Sequence, residues 1–267
     1  MLDYAASRGL YVEITAITGS ATGFNLISHM QAVNALAIDY ENVVVEVSNE
    51  PYHASQRAEV HDPSFLRRLS EIIDDDVPVA LGAPADDESD EMAAGDYVTV
   101  HLDRGRDKWN MIRRVRELEA LSSRLSKFVL NNEPKKAGSQ ESDPAIYFAQ
   151  GVLERVFEIG GVLHSDWGLA ARTPNNAEQA ITDAYIRGAT LIPSDGPWMT
   201  FKNASWGDSP IRSFDGAVRV YSGLSASANI AVALGLESGF RMETQNGWRV
   251  GEILAEMPGV RVYALER

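Results

Sequence analysis

Short apolar runs alternate with longer amphipathic stretches along most of the chain. The runs are LYVEITAI (10–17), NVVVEVS (42–48), VPVALGA (77–83), DYVTVHL (96–102), KFVLNN (127–132) and GGVLHSD (160–166). Their brevity, bounding turn residues and β-branched content read as buried strands. Between most of them, FNLISHMQAVNALAIDY (24–40), PSFLRRLSEII (63–73), DKWNMIRRVRELEALSSRLS (107–126) and PAIYFAQGVLERVFEI (144–159) carry helical spacing, and NAEQAITDAYIRG (176–188) follows the last run. Strands of this kind, separated by helices, predict a parallel sheet with helical crossovers. PADDESDEMAAG (84–95) is too short and too acidic for a crossover helix and is expected to be a loop.

Six strand–helix units with no glycine-rich phosphate fingerprint after the first strand fit a (β/α)8 TIM-like barrel better than a dinucleotide-binding fold. Two units are missing at the front, so the barrel is expected to be incomplete at the amino terminus. LDYAASRG reads as the last turns of a helix ended by Gly9, with a strand beginning at once, which agrees with a chain that starts inside a repeating pattern. Near Ser213 the texture changes to AVRVYSGLS, NIAVALGLE, FRMETQNGWRV and VRVYALER, short alternating segments with turns. The expected organisation is a barrel over 1–195, a linker over 196–212 and a small antiparallel β module over 213–267.

A length of 267 residues with 45% hydrophobic and 23% charged residues supports a packed core and excludes global disorder. The formal net charge of −14 opposes binding to phosphate backbones and anionic lipid, so neither a nucleic-acid nor a membrane partner is expected. The absence of cysteine removes disulfides, thiolate metal sites and thiol nucleophiles. No apolar stretch approaches the roughly 20 residues of a membrane helix. The start MLDYAASRGLYVEI lacks the layout of a signal peptide, and no localisation follows. His53 and His61 are too loosely spaced for metal ligation, no His-Glu-x-x-His or Gly-x-Ser-x-Gly pattern occurs, and no cofactor or metal is expected.

Two of the apolar runs end identically. VVVEVS stops at Asn49-Glu50-Pro51 and KFVLN at Asn132-Glu133-Pro134. Residues just beyond the carboxyl ends of parallel barrel strands project into one shared mouth. A single glutamate there is ordinarily a solvated loop residue or a helix cap, but two in equivalent contexts match a specific chemistry. Glycoside hydrolysis needs one carboxyl to protonate the leaving oxygen and another to attack the anomeric carbon or activate water.

VVVEVSNEPYH resembles the fourth strand of the glycoside hydrolase clan that includes cellulases and mannanases, and KFVLNNEP falls where that clan's seventh strand presents its nucleophile. Two intervening strands, VPVALGA and DYVTVHL, give the matching count. The resemblance covers residues 1 to about 195. It implies Glu50 as acid/base, Asn49 as its hydrogen-bonding neighbour and Glu133 as nucleophile of a retaining enzyme. It further implies His101 near the nucleophile and Trp167 as a sugar-stacking platform, with a carbohydrate as the substrate. The clan's first two strands, which usually contribute a supporting Arg, have no counterpart here, and Pro134 is not the commonest context for a nucleophile. The alternative is therefore a non-catalytic glycan-binding or structural barrel, a fragment of a larger assembly. In that alternative an upstream segment or a second copy, as in a homo-oligomer, covers the edge strand at 10–17.

Other residues change this picture less. His164 and Asp166 alternate with Leu163 and Ser165 and share one side of their strand. Asp103 and Arg104 read as a surface ion pair, and Trp109 as helix packing. Trp198 and Trp206 have faces suited to sugars, and the acidic run at 86–91 disfavours acidic substrates, so a neutral glycan is expected.

Overall fold

Val12–Ile17 (β1), Val43–Ser48 (β2) and Val79–Ala80 (β3) form a parallel sheet in that order, with Val12 opposite Val43 and Val45 opposite Val79. The computed structural model describes residues 1–7, 11–83, 93–101, 108–132, 143–157, 160–161, 175–192, 211–214, 219–224, 228–234 and 241–267. They fall into two units, Met1–Val100 and His101–Arg267.

In the first unit a short helix, α1 (Leu2–Ser7), precedes β1, and α2 (Leu26–Ala37) connects β1 to β2. A single 3-10 turn (Ala58–His61) and α3 (Pro63–Ser70) lead on to β3, and β4 (Val98–Val100) closes the unit. The helices begin where the sequence supplies caps. Asn25 accepts a hydrogen bond from the Ser28 amide, and Asp62 accepts one from the Ser64 amide just before Pro63. β2 is buried at all six positions. Its Val43, Val45 and Val47 pack with Leu26, Met30, Val33, Leu66 and Leu69 in one core under α2 and α3. Each fully buried leucine there contributes roughly 2 kcal/mol of apolar burial.

The second unit continues the alternation with α4 (Lys108–Leu125), β5 (Val129–Asn131), α5 (Pro144–Phe157), β6 (Gly160–Gly161) and α6 (Asn176–Ala189). β5 and β6 are parallel neighbours. Asn175 starts α6 with a capping box, accepting from the Ala177 and Glu178 amides while Glu178 accepts from its own. α5 and α6 cross closely because each presents a glycine. A Cβ on Gly151 would lie 2.5 Å from the Tyr185 carbonyl oxygen, and one on Gly188 would collide with that of Phe148.

The carboxyl-terminal part is antiparallel. Arg219–Leu224 (β8), Asn229–Leu234 (β9), Arg249–Met257 (β11) and Val260–Glu266 (β12) form a sheet in the order β11-β12-β9-β8. Ile211–Phe214 (β7) pairs separately with Met242–Thr244 (β10). Gly259, at φ 76°, makes the tight turn between β11 and β12. α5 lies against β8, β9 and β12.

The molecule is thus mixed α/β, with parallel strands joined by helices and a small antiparallel sheet at the carboxyl end. Among the described residues, α2 to α6 fall within a few residues of the ranges their periodicity predicts. β3, β4 and β5 are shorter than the apolar runs that announce them. The last two residues of the expected linker, Ile211 and Arg212, lie in β7, with Ile211 opposite Thr244, and its earlier residues lie outside those described. So do most of the expected loop at 84–95 and the last expected strand beyond Gly161.

Candidate active site

β2 ends at Ser48, and the chain turns through Asn49, Glu50 and Pro51. The Asn49 amide donates to the Ile17 carbonyl at the end of β1, 3.0 Å away. The Asn49 carbonyl accepts from Gln56 Nε2 at 2.6 Å, and the Glu50 carbonyl accepts from the His53 amide at 2.8 Å. Both peptide planes flanking Glu50 are therefore held by hydrogen bonds. Between them Glu50 sits at φ 40°, in the left-handed region that costs a residue with a Cβ about 1 kcal/mol or more. Glu50 is half-buried there.

The turn rests on a fitted floor. Pro51 is buried, and Gly82, two residues past β3, runs beside the end of β2 at φ 137°. A Cβ at Gly82 would collide with the Ser48 carbonyl oxygen and come 3.0 Å from Pro51 Cδ. The Ser48 amide donates to the Leu81 carbonyl at 3.2 Å, which ties the two strand ends together.

With Val43, Val45 and Val47 committed to the helix-covered core, strand periodicity turns Glu46 and Ser48 to the other face of the sheet. Thr15 stands opposite Glu46 in the ladder and donates to Glu46 Oε2 at 3.1 Å. Tyr97 donates its phenol proton to Glu13 Oε1 at 2.9 Å. Burial, followed by the Glu13 and Glu46 carboxylates, pushes the Tyr97 phenol well above its ordinary value, so it remains a donor at neutral pH. Ser48 Oγ and Thr99 Oγ1 are buried with no hydrogen-bond partner among the described residues. Glu46 and Ser48 are therefore polar side chains on a fully buried strand. Glu13 and Glu46 are legible in the sequence as carboxylates set inside apolar runs at strand spacing, not at strand ends. Gln56 has no such signal in HASQRAE, because its role exists only once the turn brings it back to Asn49.

In the second unit, Asn131 at the end of β5 directs its amide nitrogen to Glu154 Oε1 at 3.4 Å. Gln150 Nε2 reaches the same oxygen at 2.8 Å, and the Tyr185 hydroxyl donates to Oε2 at 2.7 Å. Burial pushes the Glu154 carboxyl up to about 7, against the lowering effect of these three donors. Asn131 Oδ1 and Gln150 Oε1 are buried without partners among the described residues. Asn132 is buried at the strand end that leads to Glu133.

Of the sequence-predicted site residues, Asn49 and Glu50 stand together at the end of β2, as the strand-end argument requires. His101 is half-buried and directly follows β4. Glu133 and Trp167 lie outside the described residues, as do Asp103, Arg104, His164, Asp166, Trp198 and Trp206. Among the described residues no group of three or more His, Asp and Glu side chains is placed to hold a metal ion, and no helix is long and apolar enough to cross a membrane. Compared with known protein families and curated proteins, the chain matches no family model and no curated sequence.

Proposed function

We propose that the chain is a retaining glycoside hydrolase of a (β/α)8-barrel architecture, acting on a neutral glycan with Glu50 as acid/base and Glu133 as nucleophile. The observation that carries this reading is the Asn49-Glu50-Pro51 turn. It places a half-buried glutamate at the carboxyl end of a fully buried parallel strand, in a left-handed conformation braced on both sides. Left-handed residues with side chains persist where the surroundings over-determine them, and such places cluster at functional sites.

In this reading Glu133 attacks the anomeric carbon while Glu50 protonates the departing oxygen. Glu50 then takes a proton from the water that releases the sugar from Glu133. Asn49 hydrogen-bonds a hydroxyl beside the reacting carbon, His101 orients the nucleophile, and Trp167 stacks on a sugar face. A separation of about 5–5.5 Å between the two carboxyl groups is what retention demands.

The test is hydrolysis of a broad panel of aryl glycosides, with mass spectrometry after exposure to a 2-fluoro glycoside. Labelling at Glu133, its loss in Glu133→Gln, and recovery of Glu50→Ala turnover by azide on activated substrates are expected. Azide needs no general base, and an activated leaving group needs little acid. If no glycoside is cleaved and neither substitution alters glycan binding, the reading falls, and a non-catalytic barrel takes its place.

A further inference from the structure

We infer that Gln56 is a positioning residue for Glu50, a clamp that sets the left-handed turn from outside the strand. This rests on the assignment of Glu50 above. Gln56 is buried, and its one amide group uses both ends. Nε2 donates to the Asn49 carbonyl at 2.6 Å, and Oε1 accepts from the Gly19 amide at 2.7 Å in the loop that follows β1. The Asn49 carbonyl belongs to the peptide plane entering Glu50, so the bond from Gln56 fixes the rotation that gives Glu50 its φ of 40°. Gln56 is itself placed by the turn it holds, through its own amide to the His53 carbonyl at 2.9 Å. The next residue, Arg57, secures the other end of the same loop. Its Nη1 donates to the Phe24 carbonyl at 3.1 Å, and its guanidinium lies over the Phe24 ring, 5.5 Å from the centroid. Two consecutive side chains thus fasten the β1–α2 loop to the segment that carries Glu50.

A glutamine is required at this position because the two partners are opposite in kind, one acceptor and one donor. Methionine fills the space and satisfies neither. Glutamate accepts from Gly19 but, while ionised, has no proton for the Asn49 carbonyl and sets an oxygen against it; once protonated it can serve both.

The experiment compares wild type, Gln56→Met and Gln56→Glu by amide hydrogen-exchange protection across pH, alongside kcat and KM on a cleaved aryl glycoside. In Gln56→Met, protection should fall at Gly19 and His53 but not at Val45 in the core, and kcat should drop on the order of 10²-fold with KM little changed. Gln56→Glu should keep Gly19 protected throughout. It should regain His53 protection, and kcat relative to wild type at the same pH, only as the pH falls into the carboxylate range. A merely structural role predicts no such rescue. Unchanged protection at Gly19 and His53 in Gln56→Met overturns the clamp whatever the activity. Loosened protection with intact kcat overturns the positioning role. A wild type that cleaves nothing removes the glycosidase reading and the catalytic consequence with it, and exchange alone then decides whether Gln56 sets the turn.

Discussion

At Glu50 a residue with a Cβ is held where glycine would rest more easily, with φ at 40°. Glu50→Gly should therefore raise stability by about 1 kcal/mol in denaturant titrations while abolishing hydrolysis. A loss of stability would show that the side chain, and not the backbone, holds the turn. Glu154 carries the opposite kind of tension, a carboxyl whose value rises from 4.5 to about 7 because it is buried. The native state keeps this proton while the unfolded chain releases it. The resulting stability is full below pH 4.5, declines as the pH rises, and is gone above about 7, a swing of roughly 3 kcal/mol. Glu154→Gln, which does not titrate, should flatten urea midpoints measured across that window. A slope that survives the substitution would assign it to another group. At this scale the Asn-Glu-Pro motif was readable, but neither the left-handed turn nor the protonation of Glu154 was, since the first depends on how the chain after Pro51 folds back and the second on burial.

At the scale of elements, glycines decide how closely segments approach. Gly82→Ala places a methyl group against the Ser48 carbonyl oxygen and forces a residue with a Cβ to φ 137°, so it should cost roughly 3 kcal/mol or more, with partial loss of activity through the turn above it. Gly151→Ala pushes α6 off α5 and should destabilise by roughly 2–3 kcal/mol. It should also draw the Tyr185 hydroxyl away from Glu154, which thermal unfolding at two pH values would register as a changed pH slope. Helices were well anticipated because apolar periodicity is local, and the structure starts three of them at the caps Asn25, Asp62 and Asn175. Strand lengths were not. VPVALGA reads as one apolar run, yet its paired strand is only Val79–Ala80, because extended pairing ends where Gly82 takes up a positive φ.

For the whole molecule, a net charge of −14 bears on the proposed glycan substrate. Hydrolysis of a neutral glycan should be insensitive to salt, whereas a uronate-bearing analogue should be cleaved poorly at low salt and better as ions screen the repulsion. Initial rates over a salt series distinguish the two, and faster cleavage of the acidic analogue at low salt would locate a cationic site that the overall charge does not reveal. The same charge predicts no retention on heparin at low ionic strength.

The order and type of the elements, and the placement of Asn49-Glu50-Pro51 after β2, were determined by the sequence alone. Apolar periodicity, caps and turn residues are properties of neighbouring positions, and neighbours are what a sequence displays directly. The tertiary structure decided what those residues do. Thr15 meets Glu46 from 31 residues away, Gly19 meets Gln56 from 37, and Tyr185 meets Glu154 from 31. Each pairing changes a side chain's burial, charge or hydrogen bonding by bringing distant segments together. Gln56 in HASQRAE is an ordinary polar residue until the chain after Pro51 turns back and gives it two backbone groups to join.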